Sequence, residues 1–208
     1  MTRSDEPDSG YERRAFGSPG AARTVIVLRA GPTATLDPDP VATAARSVQI
    51  LAIGLRDADI ADPAAFGGAT RAESVAAALA DPVRARAGDS PVGLVGVGPA
   101  GALALLFAAE LGEAVDRLAL IAVPVPETPL DREDAAGVAE RVSAKTLIMN
   151  GQRDPDASAA AARWHHERLP GSRVEMVPAP ASPDGRLALA EVWDRVLSHV
   201  APGTKRAP

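Results

Sequence analysis

Short, continuous apolar runs recur along the chain, separated by turn residues and by stretches of three- and four-residue hydrophobic spacing. Six short runs read as strands, several of them with the unbroken apolar character of strands buried on both faces. They are residues 24–28 (TVIVL), 49–53 (QILAI), a run from residue 91 to the glycines at 96–101, 117–123, 145–149 (KTLIM) and 173–177. Helical patterns lie between them at residues 40–47, 71–80, 99–111, around 131–141, and 156–169. Thr70 and Glu73 have the spacing of a capping box for the second of these. A final amphipathic helix carries Leu189, Val192, Trp193, Val196, Leu197 and Val200 on one stripe. Strands alternating with helices predict an α/β fold, a mostly parallel sheet of about six strands covered on both faces. Right-handed crossovers then bring every strand-to-helix loop to one edge. Residues 1–22 are polar and broken by Gly and Pro, which predicts a disordered tail; residues 23–201 form one domain, and 202–208 a second tail.

Composition narrows the picture. Hydrophobic residues make up 46% of the chain but aromatics only 3%, so the core must be built mainly of Ala, Val and Leu. A net charge of −5 without a basic run argues against a nucleic-acid partner. Cysteine is absent, which removes disulfides, thiolate nucleophiles and Cys-ligated metal together. No stretch approaches the roughly 20 apolar residues of a membrane span, and residues 1–22 lack the apolar core of a signal peptide. A cytoplasmic protein is expected. The bases are Arg except for Lys145 and Lys205, and Ala, Gly and Pro abound, as in proteins of GC-rich bacterial genomes. Adjacent His165 and His166 have no third ligand at helical offset, so no metal is expected.

The stretch PVGLVGVGPAGALALLFAAELGEAVDRLALIAV, residues 91–123, organises the rest. Gly96, Gly98 and Gly101 meet the G-x-G-x-x-G pattern of dinucleotide-binding folds. Such a site also needs an acidic residue about 20 residues on, at the end of the next strand. Here that strand ends Ile121-Ala122-Val123-Pro124, so the pattern lacks its second anchor and no cofactor is assigned.

Four blocks point elsewhere. LVGVGPAGALALLFAAELGEAVDRLALI resembles the nucleophile elbow, helix and following strand of the α/β-hydrolase superfamily. KTLIMNGQRDP, residues 145–155, resembles the strand and loop that deliver the triad acid; VLRAGP, residues 27–32, the oxyanion-hole loop; VPAPASP, residues 177–183, the loop of the catalytic His. The resemblance spans most of residues 24–200 and implies a hydrolase core whose chemistry is missing. It places Gly98 where the nucleophile belongs, Ser182 where the His belongs, and Asp154 at the acid position. Arg29, Ala30 and Pro99 take the oxyanion-hole positions. Glycine has no side chain to attack with, and proline has no N–H to donate.

His165, His166 and His199 are read as packing or surface residues, with His165 about 15 Å down its helix from the active edge. Arg29, Arg56, Asp57, Glu127, Gln152, Asp154 and Asp184 are expected in loops at that edge. Arg29, Asp154 and Ser182 are the candidate ligand-binding residues, with Arg29 a possible ion-pair partner for Asp154 or for an anion. Asp154 has a structural reading too, since an Asp accepts N–H bonds in the turn after its strand. About twenty residues between Val123 and Lys145 leave no room for a cap, so an open cleft is expected. Three function classes follow. One is a pseudoenzyme serving as a binding or partner protein, with an active hydrolase paralogue or a small-molecule ligand as its counterpart. The second keeps the fold and uses other, non-hydrolytic chemistry, and the third is an ordinary esterase or thioesterase with its triad elsewhere in the chain.

Overall fold

Branched and apolar residues in unbroken runs favour strands whose two faces are both covered, and the inner strands of this sheet are built from such runs. A computed structural model of the chain describes residues 11–31, 37–55, 90–127, 129–178 and 185–204. In chain order the elements are β1 (Tyr11–Gly17), β2 (Arg23–Ala30), α1 (Pro40–Ala44), β3 (Val48–Leu55) and β4 (Val92–Val97). A 3-10 turn (Gly98–Ala100) leads into α2 (Gly101–Leu111), followed by β5 (Val115–Ile121), α3 (Pro129–Glu140) and β6 (Lys145–Gly151). The chain then forms α4 (Ala159–Arg168), β7 (Arg173–Val177) and α5 (Leu189–Val200). The sheet order is β1-β3-β2-β4-β5-β6-β7, parallel from β3 through β7 with β1 antiparallel at the edge.

Alternate residues along each strand supply two cores. Ile26, Leu28, Leu94, Leu118, Leu120 and Ile148 pack with α2, α3 and α4 on one face. Val25, Val27, Val95, Ala119, Ile121, Leu147 and Met149 pack with α1 and α5 on the other. Aliphatic side chains dominate both, as the composition predicts. Among the described residues each face nonetheless has one fully buried aromatic, Phe107 and Trp193 respectively. The Trp193 indole N–H donates to the Thr43 hydroxyl at 2.9 Å, and that hydroxyl donates to Asp37 at 2.7 Å, which fastens α5 to α1.

One expectation is corrected. Residues 11–17, read above as part of a disordered tail, form β1 and pair along their length with β3. The sheet therefore has seven strands, with β1 ahead of Thr24. YERRAF reads as polar because an edge strand needs no continuous apolar run and is commonly guarded by charges. The predicted helix at 71–80 lies outside the described residues. Among the described residues, no helix is long and apolar enough to cross a membrane.

Candidate functional site

The strand order locates the site before any side chain does. From β2 the chain moves outward to β3, then returns to lay β4 on the other side of β2. The connections after β2 and β4 thus diverge, and such a switch point opens a crevice at the carboxyl ends of the two strands. Arg29, one residue from the end of β2, lies in register with Val97, the last residue of β4. This brings Arg29 and Ala30 beside the bend at Gly98.

Two glycines of the motif have a packing reason and the third a backbone one. A Cβ on Gly96 would sit 2.6 Å from the Ala104 Cβ and 2.8 Å from the Gly101 Cα. One on Gly101 would sit 2.2 Å from a Val123 methyl. Both glycines let α2 close onto β4 and onto the end of β5. Gly98 differs: it takes φ +57°, and nothing lies within 4 Å of where its Cβ would be. The bend therefore needs a left-handed backbone, which glycine adopts without a Cβ clash, and it leaves open space at the crevice. Pro99 is exposed and starts the helical turn, where a missing N–H leaves no helical bond unmade. It has no donor for an oxyanion.

Asp154 follows β6 and is only 5% exposed. One of its carboxylate oxygens accepts the N–H groups of Asp156 at 3.0 Å and Ala157 at 2.9 Å. Its own N–H donates to the Gly151 carbonyl at 3.2 Å. The carboxylate closes its own turn, and among the described residues neither an imidazole nor a guanidinium bonds it. The pairing of Arg29 with Asp154 does not form: Arg29 is exposed and Asp154 is buried within its loop. Glu127 and Gln152 are exposed as expected of loop residues. Ser182, Arg56, Asp57 and Asp184 lie outside the described residues.

The histidines serve packing and backbone satisfaction. His199, near the end of α5, lies against the amino-terminal edge of the sheet, where its Nε2 donates to the Leu118 and Lys145 carbonyls, each at 3.0 Å. Burial pushes its imidazole below the usual range, against the raising effect of those two bonds. His166 is exposed, with Nδ1 2.8 Å from the Ser172 hydroxyl. That Ser–His contact stands just before β7, at the edge of the sheet away from the crevice.

His165 is nearer the crevice-side loops than a helix running from residue 156 implies. Helix α4 begins at Ala159, so His165 is about 9 Å along it, and its Nε2 reaches the Pro124 carbonyl at 3.2 Å. It is 2% exposed, its Nδ1 has no hydrogen-bond partner, and burial lowers its pKa to about 4. With the proton on Nε2, Nδ1 is a bare acceptor.

Sequence reasoning passed over one residue here. Asn150, fully buried at the end of β6, donates to the Ser158 carbonyl at 3.2 Å, while its Oδ1 is unpaired. The signal was available as an amide closing an otherwise apolar strand. Among the described residues no group of acids and histidines could hold a metal ion.

No family model matches this chain, and no curated protein matches it. Solved structures do. An α/β hydrolase enzyme from a lagoon-sediment metagenome (Mar Chica, Morocco) aligns with a TM-score of 0.63 at 16% identity, covering 92% of this chain and 94% of that one. The thioesterase domain from the curacin biosynthetic pathway aligns with a TM-score of 0.67 at 10% identity over 90% and 94%. The enol-lactonase from Burkholderia xenovorans LB400 aligns with a TM-score of 0.65 at 13% identity, again over 90% and 94%. At such low identities the likeness is one of architecture, and by that measure this chain has the α/β-hydrolase fold.

Proposed function

We propose that this chain is an α/β-hydrolase-fold protein without a serine-hydrolase triad, acting as a non-catalytic binding or partner protein. The observation that carries the reading is Gly98, a side-chain-free residue at φ +57° on the bend where the fold presents its nucleophile. Pro99 supports it, since the residue after the nucleophile normally donates to the oxyanion. So do Asp154, occupied with its own turn, and three histidines engaged with carbonyls or with Ser172. The named neighbours include a thioesterase and a lactonase; this chain keeps their architecture and offers no group for acyl transfer at the bend. Its counterpart is an active hydrolase paralogue or a small-molecule ligand held at the Arg29 side of the crevice. On its composition we read the protein as bacterial and cytoplasmic. The reading also takes the crevice as uncapped, supported by a β5–β6 connection in which α3 is the one helix among the described residues.

The test is direct. A fluorophosphonate probe labels active serine hydrolases, and this protein should stay unlabelled and should not turn over p-nitrophenyl esters. Covalent labelling of any serine, with parallel ester hydrolysis, would overturn the reading.

A further inference from the structure

Strand β7 ends the sheet, bonded to β6 on one side and, among the described residues, to no strand on the other. Backbone groups of successive strand residues point alternately to the two sides. The Val177 carbonyl accepts the Gln152 N–H on the β6 side at 2.9 Å. Arg173, Glu175 and Val177 therefore direct their backbone groups inward, and Val174 and Met176 direct theirs outward. Val174 is also 38% exposed, which sets it apart, with Val41, among the large hydrophobic residues described. Beside it, Arg173 is exposed and has no hydrogen bond or ion pair among the described residues. Glu175, on the same face two residues on, is paired with Arg195 of α5.

We propose that β7 is a self-association edge, on which a second copy of this chain lays its own β7 antiparallel about a two-fold axis at Val174. Isologous contacts of this kind require a self-complementary strand, and this one complements itself. In the register centred on Val174, the outward N–H and C=O of each Val174 bond the other, and the two exposed valines meet. Arg173 then faces the partner's Glu175, and Glu175 faces the partner's Arg173. A carboxylate has room for a second guanidinium besides Arg195. Centring the pairing one residue later, on Glu175, sets Glu175 against Glu175, a like-charge opposition that antiparallel pairs avoid. Charge thus selects one register. The joint is a single five-residue strand, small beside a stable dimer interface, so the dimer is weak and concentration-dependent.

Sedimentation equilibrium of the full chain from about 1 µM to about 500 µM tests this, a range suited to interfaces of low area. The wild type should shift from monomer to dimer across it. Arg173→Glu and Glu175→Arg should each weaken self-association about tenfold or more by setting like charges opposite each other at both ends of the joint. Mixed together, the two variants present complementary charges and should associate at close to wild-type strength. Val174→Pro removes the outward N–H and leaves the inward bonds to β6 in place, so it should abolish the dimer, with circular dichroism showing that the fold survives. A monomer at every concentration overturns the proposal and leaves the edge to some other strand. A dimer indifferent to Arg173→Glu and to Val174→Pro, or a mixture that fails to re-associate, overturns it equally.

Discussion

At the amino-terminal edge of the strands, buried Arg23 donates to the carbonyls of Val200 and Pro91 and to the Asp116 carboxylate. His199 reaches across the same edge to Leu118 and Lys145. At the carboxyl-terminal edge, where enzymes of open parallel sheets keep their chemistry, the bend carries Gly98 and Pro99. Arg29 there is exposed, and Asp154 serves its own loop. The first edge holds a buried network of long-range polar bonds. The described part of the second holds the glycine bend and local turns, with the His165–Pro124 bond and the half-exposed Arg186–Asp156 pair as its longer-range contacts. Specific polar chemistry survives where it closes α5 onto the sheet. The crevice retains what the fold needs in order to bend. That contrast supports the proposed non-catalytic role.

The comparison breaks most visibly at Arg23. Arg23→Met should cost about 3 kcal/mol, because buried carbonyls and the Asp116 carboxylate lose their donor. Urea denaturation reads this directly, and a loss under about 1 kcal/mol would mean that the network is ornamental.

Acid comes next. His165 is neutral in the fold with a pKa of about 4, against 6.5 when unfolded. Below pH 6.5 the unfolded chain takes up a proton that the folded chain refuses. Stability is therefore complete above pH 6.5 and falls as pH drops toward 4, by up to about 3 kcal/mol for 2.5 units. His199, lowered by the same cause, adds loss of the same sign. Midpoints of urea denaturation measured from pH 8 to pH 4 should show the decline, and His165→Gln should flatten part of it.

At the crevice the effects shrink. Asp154→Ala should cost about 1.5 kcal/mol for two orphaned N–H groups. Asp154→Asn keeps an acceptor oxygen and should cost far less. A carboxylate retained for catalysis would show the reverse emphasis, with Asp154→Asn abolishing a measurable turnover. Gly98→Ser is the smallest change. It meets no steric neighbour, so its cost is the left-handed backbone alone, about 1 kcal/mol, and it should create no esterase activity. Turnover of a p-nitrophenyl ester by this variant would show that the rest of a triad is in place.

How far these features could be read in advance depended on their range. The inner parallel strands announced themselves because burial on both faces demands unbroken apolar runs, as in TVIVL and KTLIM, whereas β7 (RVEMV), at the edge, showed only a short mixed run. The glycine spacing was legible as a bend but ambiguous between two folds. Only the approach of α2 to Val123 and of Gly96 to Ala104 assigns Gly96 and Gly101 to packing. β1 escaped notice because YERRAFG carries no apolar run to mark it as a strand, and its pairing with β3 is made by backbone groups that any sequence can supply. Arg23 gave no hint of burial, since a charged residue ahead of an apolar run reads as a strand's wet end.

By itself the amino-acid order determined the layered α/β plan, the bend at residues 96–101 and the lack of a nucleophilic side chain there. Those properties are local, set by hydrophobic period and by the conformational range of single residues. The turn that Asp154 closes is local and was legible; tertiary structure decided that Arg29 does not meet it. It also decided that His165 and His199 are buried as neutral bases, and that Arg23 binds the end of a helix 177 residues away. Those outcomes depend on which chain segments become neighbours, and desolvation and hydrogen-bond supply act only on neighbours once they have met.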